Sequence, residues 1–196
     1  MFALVIEIPG QPSSRDTIRE AHVRYSELAK DHPGILYKHV MQSRDNPARF
    51  FDVMVWATQE NSEVFGVDPE YQKHRPGMPI RIPNPARSWV NPGYFQEVWE
   101  VGSTTSAETE QYLGLFEATP GKELAFEAAA ADIRDRIGDH VSSLILYRNL
   151  GAPNQYSIVV QGQNAEDEAL LATLADYTVR APEIERGELI VRYDFR

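Results

Sequence analysis

The order of secondary-structure signals in this chain repeats, and the repetition restricts the fold more than any single motif does. Residues 2–8, FALVIEI, have the apolar density of a strand. Ser13-Ser14-Arg15-Asp16 reads as a capping box, with Ser13 as N-cap and Asp16 in the position usually held by glutamate. The helix it opens sets Ile18, Ala21, His22, Tyr25, Leu28 and Ala29 on one face, and Pro33-Gly34 stops it. ILYKHVMQS (35–43) and RFFDVMVWA (49–57) are strands flanking the turn RDNPA (44–48). A weaker helical stretch broken by Gly66 and Pro69 leads to a proline-rich loop, 75–93, and a fourth strand, YFQEVWEV (94–101). Beyond the polar stretch 102–111 the order returns. YLGLFEA (112–118) is a strand, and Thr119-Pro120 reads as an N-cap with proline at the first helical position. The helix carries Phe126, Ala130, Ile133 and Ile137 on one stripe and ends at Gly138. VSSLILYRN (141–149) and QYSIVVQG (155–162) form a hairpin, residues 165–177 a helix, and ELIVRYDF (188–195) a last strand.

Both halves therefore read βαββαβ, the ferredoxin-like unit of a four-stranded antiparallel sheet with two helices on one face. The fold class expected is α+β, with two tandem ferredoxin-like repeats whose sheets face each other as an intramolecular dimeric-type α+β barrel. The expected division is a first repeat over 1–101, a linker over 102–111 and a second, degenerate repeat over 112–196. The third strand supports mutual covering. In RFFDVMVWATQEN (49–61), Asp52, Met54 and Trp56 alternate with Phe51, Val53 and Val55, so neither face is solvated. Sliding one half on the other by 105 residues sets Asp52 over Ser157 and Trp56 over Gln161.

Asp52 on a strand buried on both sides needs a partner or a task. Composition limits which task. Nineteen basic against twenty-nine acidic residues give a net charge of −10, with no basic cluster, which argues against nucleic acid or an anionic membrane as partner. Without cysteine there is no disulfide, thiolate metal site or thiol nucleophile. The five histidines show no HxH or HxxxH spacing and the carboxylates no clustering, so no metal site is expected. Neither GxGxxG nor GxxxxGK occurs. The start, MFALVIEIPG, reads as a first strand and not as a signal peptide, and no run reaches a membrane span; a soluble cytoplasmic protein is the expectation.

Two stretches, HPGILYKHVMQSRDNPARFFDVMVWATQEN (32–61) and DPEYQKHRP (68–76), resemble the antibiotic biosynthesis monooxygenase family of the dimeric α+β barrel superfamily. The resemblance lies in the Pro-Gly at the helix end, the Asp-Asn-Pro turn, the tryptophan closing the third strand and the histidine at His74. Met54 stands where that family usually has glutamate, and the second half, with Gln161 in place of the tryptophan, resembles it in pattern only. The resemblance implies oxidation of polycyclic aromatic polyketides, such as anthrones, by hydroxylation, quinone formation or ring cleavage. The tandem form is similar to angucycline ring-opening oxygenases. No metal or tightly bound flavin is implied, although reduced flavin supplied from outside could furnish a hydroquinone. The partners implied are a small aromatic substrate and dioxygen, for a monomeric pseudo-dimer or a homodimer. The same superfamily holds haem-degrading and non-catalytic proteins, which form the alternative.

Asp52, His22 and His74 are the candidate catalytic residues, and Trp56, Tyr37, His39, Arg87 and Trp89 the candidate substrate contacts. Asp52 would take a phenolic or anthrone proton and Trp56 would stack on the ring system, in a pocket between the first sheet and its helices. Against this stands a structural reading, with Asp52 paired to an arginine or capping the backbone and Trp56 as core. His22, inward on its helix, is either a base or a satisfied core histidine. Tyr37 and His39 share a strand face and border either that pocket or the barrel interior. The loop 75–93 serves as a lid or as an interface arm.

Overall fold

The computed structural model describes residues 1–74, 93–102, 109–162 and 165–195. Eight strands close into one barrel: β1 (Phe2–Pro9), β2 (Ile35–Ser43), β3 (Arg49–Trp56), β4 (Gly93–Gly102), β5 (Glu110–Glu117), β6 (Ser143–Asn149), β7 (Gln155–Gln161) and β8 (Glu183–Asp194). Their order around the barrel is β1-β3-β2-β8-β5-β7-β6-β4. Each repeat contributes a 4-1-3-2 sheet, and the two sheets are stitched at two antiparallel seams, β2 with β8 and β4 with β6. The α+β class and the tandem barrel are thus as expected, with the facing sheets joined through their edges.

Period-two alternation divides the core into an inside and two outsides. Val5, Tyr37, Phe51, Val53, Leu113, Tyr147 and Val159 point into the barrel. Phe2, Ile35, Met54 and Trp56 point outward, under α1 (Arg15–Ala29) and α2 (Gln59–Gly66). A second outer layer packs Tyr112, Phe116, Ile158 and Val160 under α4 (Glu123–Ile137) and α5 (Ala165–Ala172). The short α3 (Pro69–His74) follows α2. Contacts across the barrel tie the repeats together. The hydroxyls of Tyr37 and Tyr147 lie 2.8 Å apart, and Arg49 pairs with Glu7 at 3.0 Å and with Glu183 and Glu185 of β8.

Element ends differ from expectation in four places. A 3₁₀ turn at Pro12–Ser14 precedes α1, and Ser14 Oγ accepts from the Gln11 N–H, so Ser13 is not the N-cap. α4 begins at Glu123, three residues after Pro120, because Thr119 closes a turn with the Lys122 N–H first. Gly102, Glu110 and Gln111, expected in the linker, are strand residues, while 103–108 lie outside the described residues. β8 begins at Glu183, earlier than residue 188, because its first half pairs with β5.

At the end of β4, Gly102 has φ +80°, and an added Cβ would sit 2.2 Å from the Ser142 carbonyl oxygen. Gly102→Ala should therefore destabilise by roughly 1–3 kcal/mol. Gly66→Ala, with nothing within 4 Å, should stabilise by about 0.4–1 kcal/mol. Paired urea denaturation curves check both signs.

Candidate functional site

Asp52 lies on the helix-facing side of β3 and is 1% exposed. Two cations or potential cations share its Oδ2: the Lys38 Nζ at 3.2 Å and the His22 Nδ1 at 3.4 Å. Lys38 comes from β2, paired with Met54, and its side chain is 0% exposed. That is unusual for a residue that normally extends its ammonium to water. Its Nζ sits 5.7 Å from the Tyr25 ring centroid. His22 comes from the middle of α1, edge-on to Tyr25 at 6.0 Å. Helical spacing from Ile18 to His22 to Tyr25 and Ser26 puts all four on the buried stripe of α1.

These contacts are long, and the polar atoms are under-used. The His22 Nδ1, Lys38 Nζ, both Asp52 oxygens and the Trp56 Nε1 are buried and lack a well-formed hydrogen bond among the described residues. An unsatisfied buried group costs about 1–3 kcal/mol, and more when charged, so such a cluster needs a reason. Burial raises the Asp52 carboxyl, but Lys38 and then His22 outweigh it and hold the group below its ordinary value. His22 is pushed down, first by burial and then by Lys38, against the pull of Asp52.

An aromatic run extends the site along the outer face. Trp56 is fully buried and lies 5.3 Å from Phe65, which lies 4.4 Å from Tyr71, itself 5.6 Å from Tyr25. α2 and α3 supply Phe65 and Tyr71, so the indole, the base pair and the second helical region share one side of the first sheet.

The structure brings His22, Asp52 and Trp56 together on that side, and it separates Tyr37 and His39 from them. Those two rings are 4.7 Å apart inside the barrel. There Gln161 Nε2 donates to His39 Nδ1 at 2.9 Å, and the Asp194 carboxylate lies 3.5 Å from His39 Nε2. His74 ends α3, its side chain lying outside the described residues, as do Arg87, Trp89 and the loop 75–92. Among the described residues, Asp52 pairs with neither an arginine nor the backbone. Sequence reasoning passed over Lys38 and Tyr25. The available signal was a lysine inside the apolar run ILYKHV, on the same face as Val40.

The second repeat is built differently at the same place. α1 and α4 are both 15 residues long, and His22 and Ala130 are the eighth residue of each. Both hairpins have five-residue connections, which sets Lys38 on Leu144 and Asp52 on Ile158. The registers agree, because Lys38 pairs with Met54 as Leu144 pairs with Val160. Ser157, expected opposite Asp52, faces the barrel interior beside Tyr147, and Gln161 does the same beside His39. The offset of 105 is one residue short in this hairpin, and a one-residue slip exchanges the faces of a strand.

This geometry is a dimeric-type α+β barrel closed within one chain, with a buried Lys–Asp–His cluster on one of its two outer faces. The comparisons agree at the level of fold. A candidate monooxygenase from Fusobacterium nucleatum has TM-score 0.76 at 8% identity, covering 98% of this chain and 94% of that one. Another from Lactobacillus acidophilus has TM-score 0.73 at 8% identity over 99% and 95%. An anthrone oxidase-like protein has TM-score 0.68 at 8% identity over 99% and 93%. A heme-degrading enzyme from Listeria monocytogenes has TM-score 0.56 at 7% identity over 96% and 99%. No curated protein gives a significant match. Residues 1–76 match the family model described as Antibiotic biosynthesis monooxygenase, and His22, Lys38, Asp52 and Trp56 all lie within the matched stretch. Among the described residues, no group of three or more His, Asp or Glu side chains could hold a metal, and no helix is long and apolar enough to cross a membrane.

The sign of the pH response follows from His22. Its folded value lies below the ordinary 6.5, so the unfolded chain takes up the proton first as pH falls. Stability is then lost from about pH 6.5 downward until the folded group also titrates. The Asp52 contribution, present above 3.8, is lost lower still, as pH falls through its depressed folded value. Unfolding free energies from urea curves should drop between pH 7 and pH 5.5 in the wild type, by at most ~1.4 kcal/mol per pH unit from this group. His22→Gln should flatten that segment.

Proposed function

We propose that this protein is an oxygenase acting on a hydroxylated polycyclic aromatic substrate of the anthrone type, with its working site on the outer face of the first sheet. The observation that carries the reading is the cluster of under-bonded buried polar atoms on His22, Lys38, Asp52 and Trp56. It lies inside the matched stretch, and the places of His22, Lys38 and Asp52 are taken by Ala130, Leu144 and Ile158 in the other repeat.

The chemistry needs a base, an apolar site and dioxygen. With Nδ1 turned to Asp52, which orients the ring, His22 takes the substrate proton at Nε2. The substrate carbanion passes one electron to dioxygen, and the carbon radical and superoxide combine as a peroxide anion. That anion regains the proton from His22 and eliminates water, leaving a carbonyl. For an anthrone, one CH₂ becomes C=O, one oxygen atom enters the product and the other leaves as water, so no further reductant is required. Where the substrate arrives as a quinone, reduced flavin supplied from outside makes the hydroquinone first. Trp56, with Phe65 and Tyr71 behind it, offers an aromatic wall and, to a ring oxygen, an indole N–H that has no partner among the described residues.

Asp52→Asn should lower turnover by ~10²–10⁴-fold, the usual range for an orienting or general-base defect. Trp56→Phe, which keeps the ring and removes the N–H, should weaken binding by about 1 kcal/mol, roughly five-fold. Purified protein with an anthrone in an oxygen electrode, after treatment with chelator, tests the reading. Oxygen uptake equal to anthrone consumed, with a quinone product, supports it. Absence of uptake with a panel of hydroxylated polycycles, together with a saturable Soret shift on hemin addition, moves the assignment to a haem protein on the same barrel.

A further inference from the structure

We infer that Lys38 is a positioning residue that reserves the negative charge of Asp52 and so keeps the His22 imidazole neutral and able to accept a proton. The inference rests on the proposed base role of His22.

The geometry sets a competition for one oxygen. Lys38 Nζ and His22 Nδ1 both approach Oδ2 of Asp52, at 3.2 and 3.4 Å, and the three side chains are 0–3% exposed. One carboxylate can neutralise one cation. Were lysine and histidine both charged, the cluster would carry a net positive charge with almost no contact with water, which is costly. A primary amine is intrinsically a stronger base than an imidazole, so the one cation the carboxylate neutralises is the ammonium. Without Lys38, Asp52 and His22 would form an ordinary carboxylate–imidazolium pair, already protonated and useless as a base near neutrality. Burial lowers His22 first, and Lys38 lowers it further in the same direction.

Among the described residues, Arg24 of α1 acts electrostatically on Tyr25 beside the cluster, and most other charged groups around the helix are engaged elsewhere. On α1 itself, Ser26 Oγ donates to the His22 carbonyl, Asp16 faces Arg19, and Glu27 is held by Lys30. On β8, Glu188 pairs with Arg15, and the Tyr193 hydroxyl donates to Glu27. On α3, Lys73 pairs with Glu70, and Tyr71 meets Tyr25 through its ring. Burial holds the Tyr25 phenol above its ordinary value, so it stays neutral beside the cluster. A requirement of the fold does not explain the lysine, since Leu144 occupies the same place in the second repeat.

The test is the protonation state of His22 by NMR of imidazole-labelled full-length protein, its signal assigned by comparison with His22→Gln. The measurement needs no substrate, so it succeeds or fails independently of the oxygenase reading. In the wild type His22 should be a neutral Nδ1–H tautomer at pH 7. In Lys38→Met its titration should move up by ~1–3 pH units, the usual effect of a charge at this distance. Lys38→Arg should restore the wild-type position, and the acid limb of any turnover profile should move with the titration. A purely structural lysine would lower activity evenly across pH and leave the titration where it was, which would overturn the proposal. Should Lys38→Met fail to fold, an imidazolium at His22 in the wild type at pH 7 overturns it alone.

Discussion

β2 pairs with β8 from Tyr37 to Ser43, and β4 pairs with β6 from Phe95 to Gly102; the rest of the molecule depends on these two seams. A single βαββαβ unit leaves two unpaired edge strands and one apolar sheet face open to water. Joining two units edge to edge in a ring removes all four edges and buries both faces at once. It also fills the interior, where Tyr37 meets Tyr147 and Gln161 donates to His39 across the repeat boundary. The interior is thus committed to holding the repeats together, while the outer layers lie between the sheets and their helices.

The two outer layers have diverged in kind. Under α4 the layer is aliphatic and aromatic: Phe126 stacks on Tyr156, and Ala130, Leu144 and Ile158 fill the centre. Under α1 the same three places hold histidine, lysine and aspartate. Converting a buried ion cluster of this size into well-packed apolar residues is generally neutral or stabilising by ~1–4 kcal/mol, whereas removing one member costs ~3–5 kcal/mol. The second repeat is a natural instance of the apolar solution on the same scaffold. The polar cluster is therefore a cost in stability that the second repeat avoids on the same scaffold.

Much of this was legible in the sequence, because periodicity reports burial directly. The alternation in RFFDVMVWA assigned Asp52 and Trp56 to one face and Phe51, Val53 and Val55 to the other. The helical spacing of His22 turned it toward the same layer. What stayed hidden depended on register. Pairing Asp52 with Ser157 was wrong by one residue, enough to interchange interior and exterior and to hide Ile158 as the true counterpart. Lys38 escaped because a lysine in a strand is ordinarily solvated. Only the closing of β8 beside β2 and the seating of α1 above it bury that ammonium. Tyr37 and His39 were ambiguous for a related reason, since the face they share becomes interior only once a second sheet closes over it.

The most direct measurement transplants the second repeat's solution onto the first, in the triple variant His22→Ala, Lys38→Leu, Asp52→Ile. Equilibrium urea unfolding of this variant is compared with that of the wild type at neutral pH. The account predicts a cooperative transition with a midpoint equal to or above that of the wild type. A variant that fails to fold, or one destabilised by several kcal/mol, would show that the cluster holds the first repeat together and would contradict its assignment to function.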